Sequence, residues 1–240
     1  MRTIVIGDIH GAYKCLVEVL ELAGPADRVI FLGDYTDGLP ESKEVVEHII
    51  SMPNAICIRG NHDKWTEDWL VGGEAIMQRL HYDQGGRSTF ESYEKCDQAY
   101  RDRHKNFFVN TCKSHFLDEQ NRLFVHGGID AIGIATPPNI MMWDRDLLSF
   151  AYRMQMGWDR SGAPVSGKLP VPFCDFKEIY VGHTAAKFYT EKEHIANWLN
   201  LWAMDSNCGW GGPLVALDVD TKEMFTSKPA RVYYPEFKGR

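Results

Sequence analysis

Short apolar runs alternate with amphipathic stretches through the first third of the chain. Residues 3–6, 28–32 and 55–58 form runs rich in β-branched side chains, and a glycine follows each run within two residues. Such runs are typical of buried β-strands. Residues 13–22 and 41–50 lie between them and place apolar side chains at helical spacing. This alternation predicts parallel strands joined by right-handed helical crossovers.

The middle of the chain has a different pattern. Residues 66–118 are polar and aromatic-rich, with helical patches, and the next strand is predicted only at 122–125. We therefore expect a helical insertion over one edge of the sheet. The pattern becomes strand-rich again near the C-terminus, with predicted strands at 195–204, 214–219 and 224–226.

Composition places the chain among ordinary globular proteins. It has 240 residues, of which 44% are hydrophobic and 25% are charged. Neither an internal repeat nor a linker is visible, so residues 1–240 are expected to form a single domain. The net charge of −7 argues against a nucleic-acid-binding surface. It does not exclude a phosphate substrate, because bound metal ions can supply the positive field.

The N-terminal residues and the cysteines predict a cytoplasmic protein. Residues 1–6 run directly into a polar motif without a charged leader or an apolar signal segment. Apolar stretches are far shorter than the roughly 20 residues that span a bilayer, so no membrane partner is expected. The six cysteines lack CxxC spacing, which favours free thiols. The sequence leaves the oligomeric state open, and a monomer is compatible with it.

Glycine-flanked polar residues follow five apolar runs of the sequence. The motifs are GDIHG at 7–11, GDYTDG at 33–38, GNHD at 60–63, HGG at 126–128 and GHT at 182–184. Ligands gather at the carboxyl ends of strands in open α/β sheets, so these loops are expected to meet in one crevice. They supply six side chains with available lone pairs: Asp8, His10, Asp34, Asn61, His126 and His183.

These six side chains predict a metal centre. Oxygen and imidazole ligands suit manganese, iron or zinc, and the absence of cysteine makes a structural zinc site a poor match. Two carboxylates, one amide and three imidazoles are enough for two divalent ions. A shared carboxylate, for which Asp34 is the natural choice, can hold two ions about 3.5–4 Å apart, as in two-metal hydrolases.

Together with the glycine-rich stretch 205–212, the motif set resembles a known family. It is similar to calcineurin-like metallophosphoesterases of the phosphoprotein phosphatase type, in the branch of bacterial serine/threonine phosphatases and symmetrical diadenosine tetraphosphate hydrolases. The resemblance covers nearly the whole chain. It implies an α/β (α+β) fold, a β-sandwich of two mixed sheets flanked by helices. It also implies two divalent metal ions as cofactors, with manganese the first choice and iron or zinc the alternatives.

The resemblance also implies roles for individual residues. Asp8, His10, Asp34 and His183 would hold the first ion. Asp34, Asn61 and His126 would hold the second. His62 matches the general acid of the family, and Asp37 matches the carboxylate that orients it.

One phosphate-binding residue of the family is absent. The second motif of the family ends Asp-Arg-Gly, whereas here Gly38 follows Asp37 directly. Guanidinium donors pair well with phosphate oxygens, so another arginine is expected to replace it. Arg59 and Arg145 match family arginines near the site and are the candidates. The remaining histidines lack the strand–glycine context and are interpreted as structural or surface residues: His48, His81, His104, His115 and His194.

Three functional hypotheses follow. The first is hydrolysis of phosphoserine or phosphothreonine, with phosphotyrosine as a variant, in a protein substrate. The second is symmetrical hydrolysis of a dinucleoside tetraphosphate. The third is a non-catalytic module that binds phosphate or metal. The complete ligand set, together with His62 and Asp37, argues against the third hypothesis, since a binding module needs no general acid.

Overall fold

The computed structural model describes residues 1–72, 81–158, 163, 171–191 and 194–239. Within these ranges, the strands are β1 (Thr3–Ile6), β2 (Arg28–Phe31), β3 (Ala55–Cys57), β4 (His115–Leu117), β5 (Arg122–Val125), β6 (Glu178–Val181), β7 (Ala196–Trp198), β8 (Leu201–Ala203), β9 (Val215–Asp218) and β10 (Met224–Thr226). The helices are α1 (Tyr13–Ala23), α2 (Ser42–Ser51), α3 (Asn61–Gly72), α4 (Arg87–Tyr93), α5 (Gln98–Asn106), α6 (Pro138–Trp143), α7 (Asp146–Met156), α8 (Val171–Asp175) and α9 (Ala230–Tyr233).

The described strands form two mixed sheets. The first has the order β10-β9-β1-β2-β3, in which β1, β2 and β3 are parallel and β9 pairs antiparallel with β1. The second has the order β4-β5-β6-β8-β7, in which β5, β6 and β8 are parallel. The antiparallel strands lie outside the parallel ones in both sheets. The expected architecture of two mixed sheets with flanking helices is confirmed.

Both faces of the central strands are buried, which explains their continuous apolar sequences. In β1, Ile4 and Ile6 pack with α1 and α2, whereas Val5 joins a cluster between the two sheets. Phe124 of β5 and Tyr180 of β6 enter that cluster from the second sheet, and their rings stack at 4.8 Å. The sheets therefore pack face to face, with helices outside. Each large apolar side chain buried in this way contributes about 1.5–3 kcal/mol.

The structure differs from the sequence-based expectation in two elements. Residues 195–204 form a hairpin of β7 and β8 and not one strand, because Leu199 at the turn adopts a left-handed backbone with φ 56°. Strand β4 lies inside the section 66–118, for which helices alone were expected. The remainder of that section contains α4 and α5, as expected, although residues 73–80 lie outside the described part.

The fold places the polar motifs at one edge. Because β1, β2 and β3 are parallel, the loops that follow them leave the first sheet on the same side. The loops after β5 and β6 leave the second sheet together for the same reason. The face-to-face packing brings the two sets of loops into contact.

All six cysteines are free thiols. Within the described ranges, no helix combines the length and the hydropathy that a transmembrane span requires.

Candidate active site

Left-handed backbone conformations mark the loops that follow the strands. His10, Asp34, Asp37 and His183 have φ between 53° and 69°. Residues other than glycine rarely adopt such values, because each costs about 1–3 kcal/mol and persists only where the surrounding structure imposes it. The left-handed backbone conformation directs these side chains away from the ends of their strands and toward one another. Such strain is concentrated at functional sites in proteins.

The first cluster of candidate ligands comes from the loops after β1 and β2. His10 Nε2 lies 3.8 Å from Asp8 Oδ2 and 3.6 Å from Asp34 Oδ2. One donor atom from each of the three residues lies within 4.8 Å of the others. All three side chains are buried. Two carboxylates beside an imidazole form a donor set that a divalent ion fits.

The second cluster shares Asp34 with the first. His126 Nε2 lies 3.4 Å from Asp34 Oδ1 and 3.1 Å from Asn61 Oδ1. Donor atoms of Asp34, His126 and His183 lie within 4.8 Å of one another. The main-chain N–H of His183 also donates to both carboxylate oxygens of Asp8 at 3.0 Å. The structure therefore brings together all six predicted ligands, with His183 adjacent to both clusters.

Main-chain carbonyls determine which imidazole nitrogen faces the clusters. His10 Nδ1 lies 3.0 Å from the carbonyl oxygens of Thr36 and Asp37, and His126 Nδ1 lies 2.8 Å from that of Leu32. A carbonyl oxygen only accepts, so both Nδ1 atoms carry the hydrogen. Each Nε2 can then present a lone pair to a metal ion, an arrangement common among histidine ligands.

The buried negative charge of Asp34 also favours the binding of cations at the clusters. Burial alone would raise the pKa of Asp34, but the imidazoles of His126, His62 and His10 outweigh it and hold that pKa well below 3.8. Asp34 is therefore an anion inside the protein. Buried anions require cations or several hydrogen donors nearby.

Two glycines allow the carboxylates to approach the neighbouring loops closely. A Cβ atom at Gly60 would overlap Asp34 Oδ1, and one at Gly182 would overlap Asp8 Oδ1. Glycine is needed here because of close approach, since neither residue has positive φ.

His62 and Asp37 form a hydrogen-bonded pair beside the clusters. His62 Nδ1 lies 2.9 Å from Asp37 Oδ2, and both side chains are buried. Burial would raise the pKa of Asp37, but hydrogen bonds from His62 and His81 outweigh it and lower that pKa to about 2. The ionised carboxylate accepts from Nδ1–H, so Nε2 is the His62 atom able to exchange a proton with a ligand in the cleft.

Two residues with evident positional roles were not assigned such roles from the sequence. Asp63 accepts from the main-chain N–H groups of Asp34, Tyr35 and Gly60 at 2.7–2.9 Å, which ties the second and third loops together. The GNHD motif contains it and could have indicated it. His81 contacts Asp37 at 2.9 Å. Nothing in its local sequence indicates this contact.

The two nominated arginines lie in different surroundings. Arg145 lines the cleft above the clusters, and its Nη1 donates to Thr184 Oγ1 at 2.8 Å and to the carbonyl of His183 at 3.2 Å. Arg59 donates instead to the carbonyl of Phe108 and has its Nε 3.2 Å from Glu67 Oε2. Arg59 is not among the residues that line the described cleft. Its position therefore favours a role in holding α3 against the helical segment Phe107–Thr111 that follows α5.

The cleft over the clusters has a volume of about 340 Å³ and an aromatic rim. It is lined by Asn61, His62, Trp65, Gln84, Trp143, Arg145, His183, Phe188 and Trp210. Trp143, Phe188 and Trp210 remain 46%, 69% and 49% exposed. Lys187 Nζ lies 5.7 Å from the ring centres of both Phe188 and Trp210. A ligand at the clusters would thus have aromatic faces and one ammonium group beside it.

Comparison with known proteins agrees with this geometry. Residues 1–187 match the model of the calcineurin-like phosphoesterase family. A symmetrical bis(5'-nucleosyl)-tetraphosphatase of Coxiella burnetii is 30% identical over 273 aligned positions, covering 94% of this chain and 91% of the relative. An asymmetrical bis(5'-nucleosyl)-tetraphosphatase of Anoxybacillus flavithermus is 25% identical and covers 98% and 97%. A serine/threonine phosphatase structure from Saccharomyces cerevisiae superposes with a TM-score of 0.56 at 14% identity, covering 95% and 80%.

Proposed function

The chain belongs to the calcineurin-like phosphoesterase family, and from that premise we propose that it hydrolyses the phosphoanhydride chain of a dinucleoside polyphosphate. Members of this family are hydrolases of phosphoester bonds that use divalent metal ions, so the chain is a metal-dependent phosphoesterase. The identity and number of its ions and its substrate are the proposed part.

The aromatic rim of the cleft is the observation that favours a nucleotide substrate. Trp143, Phe188 and Trp210 expose large ring faces around the metal-ligand clusters. Phosphoserine and phosphothreonine offer these rings no planar group, and phosphotyrosine offers one phenyl ring. A dinucleotide offers two nucleobases, and stacking on an aromatic side chain contributes about 1–3 kcal/mol per base. The tetraphosphatase names of the relatives support the same choice.

A phosphoprotein, the first hypothesis from the sequence, has weaker support. The protein phosphatase that superposes on this chain is 14% identical. Similarity at that level concerns the fold and not the substrate. The third hypothesis, a non-catalytic module, does not agree with membership of a hydrolase family.

The six predicted ligands fit the ions that the family uses. Asp8, His10 and Asp34 would hold one ion, and Asp34, Asn61 and His126 the other. The His183 imidazole groups with Asp34 and His126, and its main-chain N–H contacts Asp8 of the first cluster. Manganese is our first choice, with iron or zinc as alternatives, because the donors are oxygen and imidazole nitrogen. When bound, two such ions would lower the pKa of a water molecule and neutralise charge on the phosphoryl oxygens.

The residues of the chain itself perform the remaining steps. Arg145 would donate to phosphate oxygens through paired N–H groups. During reaction, a bond forms between water oxygen and phosphorus while the bond from phosphorus to the bridging oxygen breaks. His62 Nε2 gives a proton to that departing oxygen, and the water proton passes to solvent. Asp37 holds the His62 ring in position through Nδ1–H.

A parallel substrate assay tests the proposal. With manganese-loaded protein, we expect kcat/KM to be higher for diadenosine tetraphosphate than for a phosphoserine peptide, with anion-exchange chromatography identifying the nucleotide products. A higher kcat/KM for the peptide would overturn the choice of substrate.

The aromatic rim can be tested separately. Trp210→Ala should raise KM for diadenosine tetraphosphate by about tenfold, the effect of 1.4 kcal/mol, and leave p-nitrophenyl phosphate kinetics unchanged. Trp158→Ala is the control, because Trp158 is similarly exposed at 54% but does not line the described cleft. An unchanged KM for the dinucleotide in Trp210→Ala would remove stacking on Trp210 from the proposal.

A further inference from the structure

The Asp37 carboxylate has more hydrogen-bond partners than an orienting aspartate needs. His81 Nε2 lies 2.9 Å from Oδ2, the oxygen that His62 also contacts, and 3.1 Å from Oδ1. Thr89 Oγ1 donates to Oδ1 at 2.7 Å. All of these side chains are buried. Both oxygens of the carboxylate are therefore held by groups other than the general acid.

The segment that carries His81 and Thr89 packs directly on the turn containing Asp37. The main-chain N–H of Gly38 lies 3.0 Å from the carbonyl of Gly85 and 3.1 Å from Ser88 Oγ. The main-chain N–H of Asp37 donates to Thr89 Oγ1 at 2.9 Å. The segment 81–89 therefore lies over the turn at which the family resemblance implies an arginine after Asp37.

Packing holds the His81 ring in one orientation. The Trp65 ring lies 5.5 Å away and the Phe90 ring 5.0 Å away, measured between ring centres. Trp65 also contacts the His62 ring, at 4.8 Å. One tryptophan therefore packs against both histidines that face Asp37. Since a carboxylate only accepts once ionised, His81 Nε2 carries the hydrogen in this contact.

We propose that His81 is a positioning residue that fixes the Asp37 carboxylate and, through it, the His62 ring that donates the proton. The proposal deepens the proposed phosphoesterase function and rests on it. A carboxylate held through both oxygens cannot rotate about its Cβ–Cγ bond. A rotated carboxylate would release His62 Nδ1–H, and Nε2 would lose its alignment with the departing oxygen. Alignment of that kind is what a positioned acid contributes to rate.

Leaving-group dependence separates positioning from simple structural support. Phenolate needs protonation as it departs, whereas p-nitrophenolate needs little. His81→Phe, which keeps the ring and removes the donor, should lower kcat for phenyl phosphate by about 10–100-fold, within the range of acid catalysis. The loss on p-nitrophenyl phosphate should be under about threefold, with KM unchanged for both substrates. In a His62→Ala background, His81→Phe should cause no further loss on phenyl phosphate.

Matched variants keep the result interpretable. His81→Gln places an amide N–H near the position of Nε2 and should recover most of the activity. His81→Asn is too short to do so and should not. His104→Phe is the control, because His104 is also a buried histidine of the section 66–118 and faces a carboxylate, that of Glu47 at 2.9 Å. It should affect both substrates equally.

A spectroscopic measurement adds a readout other than activity. In metal-free protein, the downfield proton resonance of His62 Nδ1–H should persist in His81→Gln and disappear in His81→Phe. Equal losses of kcat on both substrates, or a further loss in the His62→Ala background, would overturn the positioning role of His81. Neither result would bear on the proposed phosphoesterase function. If His81→Phe does not fold, the difference between His81→Gln and His81→Asn decides the same question. Absence of hydrolysis by the wild type would instead refute the proposed function.

Discussion

Removing the charge of Asp37 should lower stability in a pH-dependent manner. Its pKa in the folded protein is about 2, against 3.8 for the ordinary group, because hydrogen bonds from His62 and His81 outweigh the effect of burial. A difference of nearly two units at 1.36 kcal/mol per unit corresponds to about 2 kcal/mol. Asp37→Asn keeps the shape of the side chain and removes this contribution.

The sign of the pH dependence follows from the lowered pKa. A carboxyl group whose pKa is lower in the folded state stabilises the protein fully above pH 4. The contribution is lost as pH falls from about 4 to about 2, with about half lost by pH 3. The difference in unfolding free energy between wild type and Asp37→Asn should therefore shrink over that interval. Any difference that persists at low pH reports lost hydrogen bonds and not charge.

Urea unfolding of metal-free protein at pH 7, 5, 4 and 3 measures the effect. Glu94→Gln is the control, because Glu94 is an exposed carboxylate of the section 66–118, where a substitution should change stability by less than about 0.5 kcal/mol. A difference for Asp37→Asn that does not vary with pH would refute the reasoning about the ionised, histidine-bound carboxylate.

Further predictions concern the metal ligands and the phosphate. Gly182→Ala should weaken Mn²⁺ binding by tenfold or more in isothermal titration, because the added methyl group overlaps Asp8 Oδ1. Gly24→Ala should cost stability through its positive φ but leave Mn²⁺ affinity unchanged, since nothing lies near its Cβ position. Equal affinities in the two variants would contradict the close approach at Gly182. Arg145→Ala should lower kcat/KM by tenfold or more, equivalent to about 1.4 kcal/mol. Arg145→Lys should recover only part of this loss, because an ammonium lacks the paired donors. Wild-type kinetics in Arg145→Ala would exclude it from phosphate binding.

The strands and the convergence of the ligand loops could be predicted because both depend on residues that lie close together in the sequence. Each motif follows an apolar run and contains glycine, as with Asp8 after β1 and His126 after β5. Parallel pairing then carries the loops to a common edge. The positive φ of His10 and Asp34 could not be read from the sequence, since it depends on tertiary contacts that impose a costly backbone.

Features that depend on long-range packing were not predictable in this way. His81 reaches Asp37 across 44 positions of sequence, and its neighbours carry no strand–glycine signal. Arg59 has the spacing of a site arginine, yet its side chain turns to the carbonyl of Phe108. The turn at Leu199 divides an apolar run that otherwise has the composition of one strand.

We infer, as the central claim, that the protein performs metal-dependent hydrolysis of a dinucleoside polyphosphate at the site formed by the two ligand clusters. The most direct measurement is kcat/KM for diadenosine tetraphosphate after exhaustive chelation and again after addition of Mn²⁺. We expect no turnover above background in the metal-free protein and restoration of turnover on adding Mn²⁺ to wild type. Restoration should be small in Asp34→Asn, which removes the carboxylate shared by both clusters. Full turnover in the metal-free protein would contradict the central claim.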